Sequence, residues 1–201
     1  LYAFSQTHHV NAQVSFSGGN PMLYPHFYEL YQEAVDRGFL VAILGNPMEE
    51  GYIERLLTIK QPEFYQVSLE GLRGQNDYIR GAGHFDRTLA FLDLLRAHNI
   101  YSMVMLTLTR ANCNDVLPLS DLLRGRADLF TFNRLAMVGE GAVLASVATE
   151  RFPKFLDEFL AAAQTNHGLS LKDNFFNLLL AAQHRPLTGG CTGFGCGAAF
   201  N

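Results

Sequence analysis

The stretch "VSFSGGNPMLYP", residues 14–25, ends an apolar alternating run on Ser17-Gly18-Gly19-Asn20-Pro21. Adjacent glycines carry no Cβ and accept positive φ, so backbone amides and carbonyls there can close on a ligand. Taken alone, the pair also reads as a plain strand-to-helix turn. A second stretch, "VSLEGLRGQNDYIRGAGHF" over 67–85, sets Ser68 and Glu70 two apart, which on a strand directs a hydroxyl and a carboxylate to one face. Arg80 stands before Gly81-Ala82-Gly83. On a flexible loop its planar fork of donors suits a carboxylate, and it reads equally as a solvated loop cation.

Polar residues also cluster in "TRANCND", with Asn112 and Asn114, and in "FNRLAMVGEGA", with Asn133 and Arg134. The two asparagines suit a turn and a helix cap. Leu144 stands where a third glycine would follow Gly139 and Gly141, and "GFGCGA" follows no strand-like run, so neither segment completes a dinucleotide fingerprint. Cys113, Cys191 and Cys196 do not make an even disulfide set. The last two, five positions apart, suit thiolate ligation of a cluster, yet two thiolates do not saturate a four-ligand site. His8 and His9 read as surface residues.

Elements that would carry these residues are legible. Strand-like runs at 12–17, 39–44, 65–69, 100–108 and 128–135 alternate with segments long enough for a helix, the pattern of βα units on a parallel sheet. Phe27, Leu30, Tyr31, Ala34 and Val35 make one apolar helical stripe, and Phe85, Leu89 and Leu92 a second. Pro25 suits a first helical turn, Asn114-Asp115 a cap before Val116, and Gly38 a helix stop. Two further helical runs, 150–164 and 173–184, follow the fifth strand. Ligands of parallel α/β folds sit at the carboxyl ends of the strands, here just after residues 17, 44, 69, 108 and 135.

With 201 residues and 48% hydrophobic content, one ordinary domain is expected. A net charge of −4 with scattered basic residues excludes the phosphate-neutralising stripe of a nucleic-acid binder. No run of about 18 apolar residues and no signal-peptide pattern occurs, so neither membrane nor secretion is expected, and the reading is cytoplasmic. A start at Leu1 and a Gly- and Cys-rich end at Asn201 read as a piece of a longer protein.

The ordered set "SFSGGNPMLYP", "ILGN", "VSLEGLRGQNDYIRGAGHFD", "LTLTRANCNDVLPL" and "FTFNRLAMVGEG" resembles the core of radical S-adenosylmethionine (SAM) enzymes that carry a C-terminal SPASM extension. The resemblance implies an α/β fold, a partial (β/α)6 TIM-like barrel with its N-terminal βα unit truncated. It implies a core over 1–185 and the start of a SPASM domain over 186–201. The family's Gly-Gly-Glu-Pro motif, whose backbone binds the SAM amino group, matches Gly18, Gly19, Asn20 and Pro21; Asn20 replaces the usual Glu and keeps a carbonyl acceptor. The family's "SLDG…HD..R" segment matches Ser68, Leu69, Glu70, Gly71, Asn76, Asp77 and Arg80, with Ser68 and Arg80 resembling the residues that hold the SAM carboxylate and ribose.

The same resemblance implies SAM, a [4Fe-4S] cluster and an auxiliary iron-sulfur cluster as cofactors, with Cys191 and Cys196 as auxiliary ligands and the rest past Asn201. The catalytic CxxxCxxC is absent, since no cysteine precedes Cys113; on this reading it lies upstream of Leu1, and this chain alone is expected to be inactive. The implied activity is reductive SAM cleavage to a 5′-deoxyadenosyl radical used to modify a ribosomal peptide or protein, with flavodoxin or ferredoxin as reductant. The C-terminal "GGCTGFGCGAAFN" resembles maturases of selenobiotic-type, thio(seleno)oxazole-modified peptides. Two other readings stay open: a non-radical barrel lyase or hydrolase using Glu70 as base with Arg80 or Arg134 as anion clamp, and a non-catalytic binding module.

Overall fold

Five short runs rich in Val, Ile, Leu and Phe pair side by side in the computed structural model, which describes residues 2–187. They are β1 (Gln13–Phe16), β2 (Leu40–Leu44), β3 (Tyr65–Ser68), β4 (Ser102–Leu108) and β5 (Leu129–Arg134). Their order in the sheet is their order in the chain, and every neighbouring pair is parallel. Parallel neighbours need crossovers, and helices supply them: α2 (Phe27–Asp36), α3 (Glu50–Ile59), α4 (Arg73–Arg80) with α5 (His84–Ala97), and α6 (Val116–Leu123). A short α1 (Tyr2–His8) precedes the sheet, and α7 (Phe152–Ala163) and α8 (Phe175–Ala182) follow it. The expected α/β partial-barrel architecture is present.

Alternation sorts each strand into two faces. The outer face meets the helices: Phe16 packs on Phe27 with ring centroids 5.3 Å apart, Tyr65 on Phe91 at 5.0 Å, and Phe132 on Phe155 and Phe159 at 5.2 Å. Val41, Ile43, Val67, Val104 and Leu106 are fully buried between them. Side chains of opposite parity, among them Gln66, Ser68, Thr107 and Asn133, face the concave side and keep contact with solvent. The strands therefore bury one face in helices and hold polar groups on the other.

All five expected strands are found within two residues of their expected bounds. The sheet continues past β5 through a stub that the alternation of long runs did not show. Phe130 N donates to Gly168 O at 2.7 Å, and Ser170 N donates to Phe130 O at 3.0 Å, a parallel contact in the sixth strand position. "GLSL" is too short for a periodic signal.

Helix ends differ in part from expectation. Gly38 does close α2: at φ +78 it lets Gly38 N reach Val35 O and Phe39 N reach Ala34 O, a Schellman stop. Asn99 ends α5 the same way, with Ile100 N on Leu95 O. Pro25, however, lies outside any helix; α2 begins at Phe27, and Pro21 opens a single 3-10 turn over Pro21–Leu23. Of the first stripe, Phe27, Tyr31 and Ala34 are buried while Leu30 is half exposed, and the buried face takes in Tyr28 instead. Asp115 precedes α6 without capping it; its Oδ2 accepts from Leu72 N at 2.9 Å instead.

Candidate functional site

A cleft of ≈ 290 Å³ opens at the carboxyl ends of β1, β2 and β3. β1 delivers Gly18 and Gly19, β2 delivers Gly45 and Asn46, β3 contributes Gln66 and Ser68, and Arg80 reaches in from the end of α4. Three of the segments singled out in the sequence thus converge on one space.

Each wall has a local cause. Gly18 and Gly19 hold φ of +97 and +75 with open space where a Cβ would stand, so the glycines are needed for backbone conformation rather than for room. Gly45 is the reverse case. A Cβ there would stand 2.9 Å from Tyr65 Oη and 3.2 Å from Asn20 Oδ1. Tyr65 Oη donates to Asn46 O at 2.8 Å, tying the end of β2 to the middle of the sheet.

Glu70 does not reach the mouth as a free carboxylate. β3 ends at Ser68, and Glu70 is buried, with Oε1 accepting from Arg80 Nε at 3.2 Å and from Arg80 Nη2. Its Oε2 accepts from Thr107 N at 2.9 Å, its backbone N–H donates to Asn76 Oδ1 at 3.0 Å, and its carbonyl accepts from Asn112 Nδ2 at 3.1 Å. Both carboxylate oxygens are taken by donors, which leaves no lone proton acceptor aimed at a substrate, the requirement for a general base. Arg80 is correspondingly no loop cation: it is the last residue of α4, held by Glu70 through Nε and Nη2, and it lines the cleft.

A polar network braces this pair. Asn76 is fully buried; its Oδ1 serves Glu70, so its Nδ2 faces His84 Nδ1 at 3.2 Å, and the imidazole must accept there and carry its proton on Nε2. Burial, and then the charges of Arg80 and Arg87, push the His84 pKa down. Asp77 accepts from Phe85 N and Gly83 N, each at 2.8 Å, and those bonds hold its carboxyl below the usual range. It caps α5 from the preceding helix.

The remaining sequence-selected residues scatter. Asn112 is a buried turn pin rather than a cap, also accepting from Thr109 N at 2.7 Å. Arg134 lies on the outer face, paired with Asp173 at 2.7 Å and over the Phe175 ring at 4.6 Å, and it does not line the cleft as an anion clamp would. Asn20 is not among the cleft walls; its Nδ2 donates to Met48 Sδ at 2.9 Å and its buried Oδ1 has no partner. Pro21 is buried beneath it. His8 and His9 are exposed, and Cys113 is buried, which pushes its thiol pKa up. Cys191 and Cys196 lie outside the described residues. Gly45 and Gln66 carry no motif of their own in the sequence beyond the glycine of "ILGN", which marks a strand end.

Two other cavities lie apart from this chemistry. One of ≈ 280 Å³ sits at the amino end of β5 near Asn166, and an apolar one of ≈ 450 Å³ lies between α7 and α8 and reaches the carboxyl ends of β4 and β5 at Leu108 and Arg134. Neither of them is lined by Gly18, Gly19, Ser68 or Arg80, which meet only in the first cleft.

The model of the Radical SAM superfamily matches residues 8–123 of the 201. The chain belongs to the radical SAM superfamily. Solved structures of the same fold include SuiB from Streptococcus suis bound to S-adenosylmethionine, 18% identical with TM-score 0.65 over 79% of this chain and 38% of that one. They also include anSMEcpe with bound AdoMet and the Cp18Cys peptide, 15% identical with TM-score 0.65 over 86% of this chain and 53% of that one. A third is HemN, the coproporphyrinogen III oxidase of Escherichia coli, 12% identical with TM-score 0.61 over 77% and 40%. The chain thus spans well under two thirds of these relatives. Among curated proteins none matches the sequence.

Family membership implies SAM and a [4Fe-4S] cluster. The cleft fits a SAM-like group: it offers a glycine backbone with no Cβ in the way, a Ser68 hydroxyl and an oriented guanidinium. The cluster finds no such fit, since no group of three or more His, Cys, Asp or Glu suited to a metal ion exists among the described residues. Among those residues, no helix is long and apolar enough to cross a membrane.

Proposed function

We propose that this chain is the SAM-holding part of a radical SAM enzyme that modifies a ribosomally made peptide or protein. The observation that carries the reading is the convergence of Gly18-Gly19, Ser68 and Arg80 on one cleft at the strand ends. Gly18 and Gly19 would present backbone carbonyls to an ammonium, Ser68 a hydroxyl to ribose or carboxylate, and Arg80 its spare N–H groups to the carboxylate. Glu70 contributes by fixing that guanidinium, and the orphaned Asn20 Oδ1 beside Gly45 is an acceptor in want of a donor. SAM held there would, on receiving one electron from the proposed flavodoxin or ferredoxin reductant and releasing methionine as its C–S bond breaks, supply a carbon radical for hydrogen abstraction, while these residues would bind it, orient it and exclude water.

Support for a peptide substrate comes from relatives: SuiB is solved bound to the precursor peptide SuiA, and anSMEcpe with the Cp18Cys peptide. The reading extends to a core over 1–185 and a SPASM segment over 186–201, to an auxiliary cluster on Cys191 and Cys196, to a flavodoxin or ferredoxin reductant, and to selenobiotic-type maturation in the cytoplasm.

Calorimetric titration of SAM tests the cleft. The wild-type chain is expected to bind, and Arg80→Ala to weaken binding by about tenfold; equal affinity in the variant overturns the assignment. The radical chemistry is tested on the protein in its full natural length, reconstituted anaerobically with iron and sulfide. Addition of a reductant should release 5′-deoxyadenosine, and intact SAM after reduction would sink the radical reading.

A further inference from the structure

Behind the arginine of the cleft runs a chain of buried polar groups in which each link fixes the next. His84 opens α5 and is buried, with Nδ1 3.2 Å from Asn76 Nδ2. Asn76, on α4, is fully buried with both polar atoms engaged: Nδ2 also donates to Asp77 Oδ1 at 3.1 Å, and Oδ1 accepts from Glu70 N at 3.0 Å. Glu70 in turn holds Arg80 through Nε and Nη2, and Arg80 lines the cleft. Four residues thus lead from an imidazole to a wall of the ligand space.

The donors and acceptors leave this chain one working arrangement. A side-chain amide has two N–H hydrogens at one end and an oxygen at the other. His84 Nδ1 and Asp77 Oδ1 accept from the hydrogens, so the oxygen is turned to Glu70 N. Turning the amide over would set its NH2 against the Glu70 N–H and its oxygen against the Asp77 carboxylate. His84 selects the orientation only while Nδ1 is an acceptor; a proton there opposes the Asn76 hydrogens with an N–H. Thr88 Oγ1, 3.4 Å from Nδ1, is the other polar neighbour such a proton can reach, and it donates its own hydrogen to His84 O at 2.9 Å. In either case Asn76 loses an acceptor that, in a buried site, water does not replace. The charged groups facing the imidazole are Arg80 on α4 and Arg87 on α5, which together with burial oppose its protonation, and Asp77 on α4 and Glu70 past β3, which favour it.

We propose that His84 and Asn76 are positioning residues of the SAM cleft: the unprotonated imidazole orients the amide, the amide anchors Glu70, and Glu70 sets the guanidinium of Arg80. This rests on the SAM reading above. Neither residue lines the cleft, and both act through Glu70. Because every member of the chain is paired to the next inside the protein, a change at the imidazole is passed along it rather than absorbed by solvent. Acid that protonates His84 therefore loosens Arg80, and SAM is held more weakly below the His84 titration than above it.

One readout needs no SAM, so that failure of the SAM reading stays separate: the Arg80 Nε–H resonance, followed by NMR, reports the bond to Glu70. At pH 8, His84→Gln, whose side-chain oxygen can accept from Asn76 Nδ2, is expected to keep the wild-type resonance and SAM affinity. His84→Leu, which has no acceptor, is expected to shift the resonance toward that of a free guanidinium and to weaken SAM binding about fivefold. On acidification the wild-type resonance should move with the midpoint of the His84 ring signals, and that of His84→Gln should not. A wild-type resonance that stays put while His84 titrates, a His84→Leu protein with the wild-type resonance, or an equal shift in the Gln and Leu variants overturns the proposal; so does an unchanged Kd in His84→Leu where the wild type binds SAM. An Arg80 resonance governed by His84 in a protein that binds no SAM at any pH would sink the SAM reading and leave the chain of contacts standing.

Discussion

Arg80 and Glu70, ten residues apart in the chain, form one buried-to-exposed ion pair in which the carboxylate side chain is 5% exposed and the guanidinium 32%. The acid is the hub: it ties the ends of β3 and β4 to α4 through Thr107, Asn76 and Asn112. Removing the base strands a buried negative charge. Arg80→Gln is therefore expected to destabilise the fold by about 2 kcal/mol, at the low side for a buried pair because the guanidinium is part-exposed. Adding Glu70→Gln should restore part of that loss. Urea denaturation of the two singles and the double checks this, and simple additivity would contradict it.

Gly45 and Gly19 should respond to alanine for different reasons. Gly45→Ala drives a methyl group into Tyr65 Oη and is expected to cost about 2 kcal/mol, relieved in part by Tyr65→Phe. Gly19→Ala meets no atom but must hold φ +75, for about 1 kcal/mol, and no neighbouring truncation should rescue it. Thermal melts of Gly45→Ala, Gly19→Ala, Tyr65→Phe and the Gly45→Ala/Tyr65→Phe double variant separate clash from strain.

Asn112 is fully buried and donates from Nδ2 to two carbonyls, Glu70 O and Thr107 O. Asn112→Asp replaces the donor with an oxygen facing both. A loss of about 3 kcal/mol is expected, larger than that of an exposed substitution such as Asn114→Asp. Comparable denaturation midpoints for the two would refute the buried pin.

His84 should make stability fall in mild acid. Its folded pKa is depressed, first by burial, so the unfolded chain binds the extra proton and stability rises with pH. The contribution is complete above the unfolded histidine value, near 6.5, and is lost as pH drops toward the folded value. Protonation also puts Nδ1–H against the Asn76 Nδ2 hydrogens. Denaturation midpoints from pH 8 to 5 should decline in the wild type and decline less in His84→Gln; parallel curves would rule this out.

The sequence by itself determined the five strands, their parallel sense and most of the cleft. Five apolar runs spaced by helix-length segments fix a parallel sheet, because strand and helix periods are local and repeat within a few residues. The glycine pair after β1 and the "SLEG" after β3 then had to fall at carboxyl ends. What only the tertiary structure decided is which polar groups are spent. Glu70 looks like a free acid beside Ser68, and it becomes a buried hub once Thr107 and Arg80 arrive from other elements. Arg134 and Asn133 are adjacent in sequence, yet parity sends one to Asp173 outside and the other to Lys172 inside. Partners 37 to 39 residues away leave no periodic trace in a sequence, so their choice is made by packing alone.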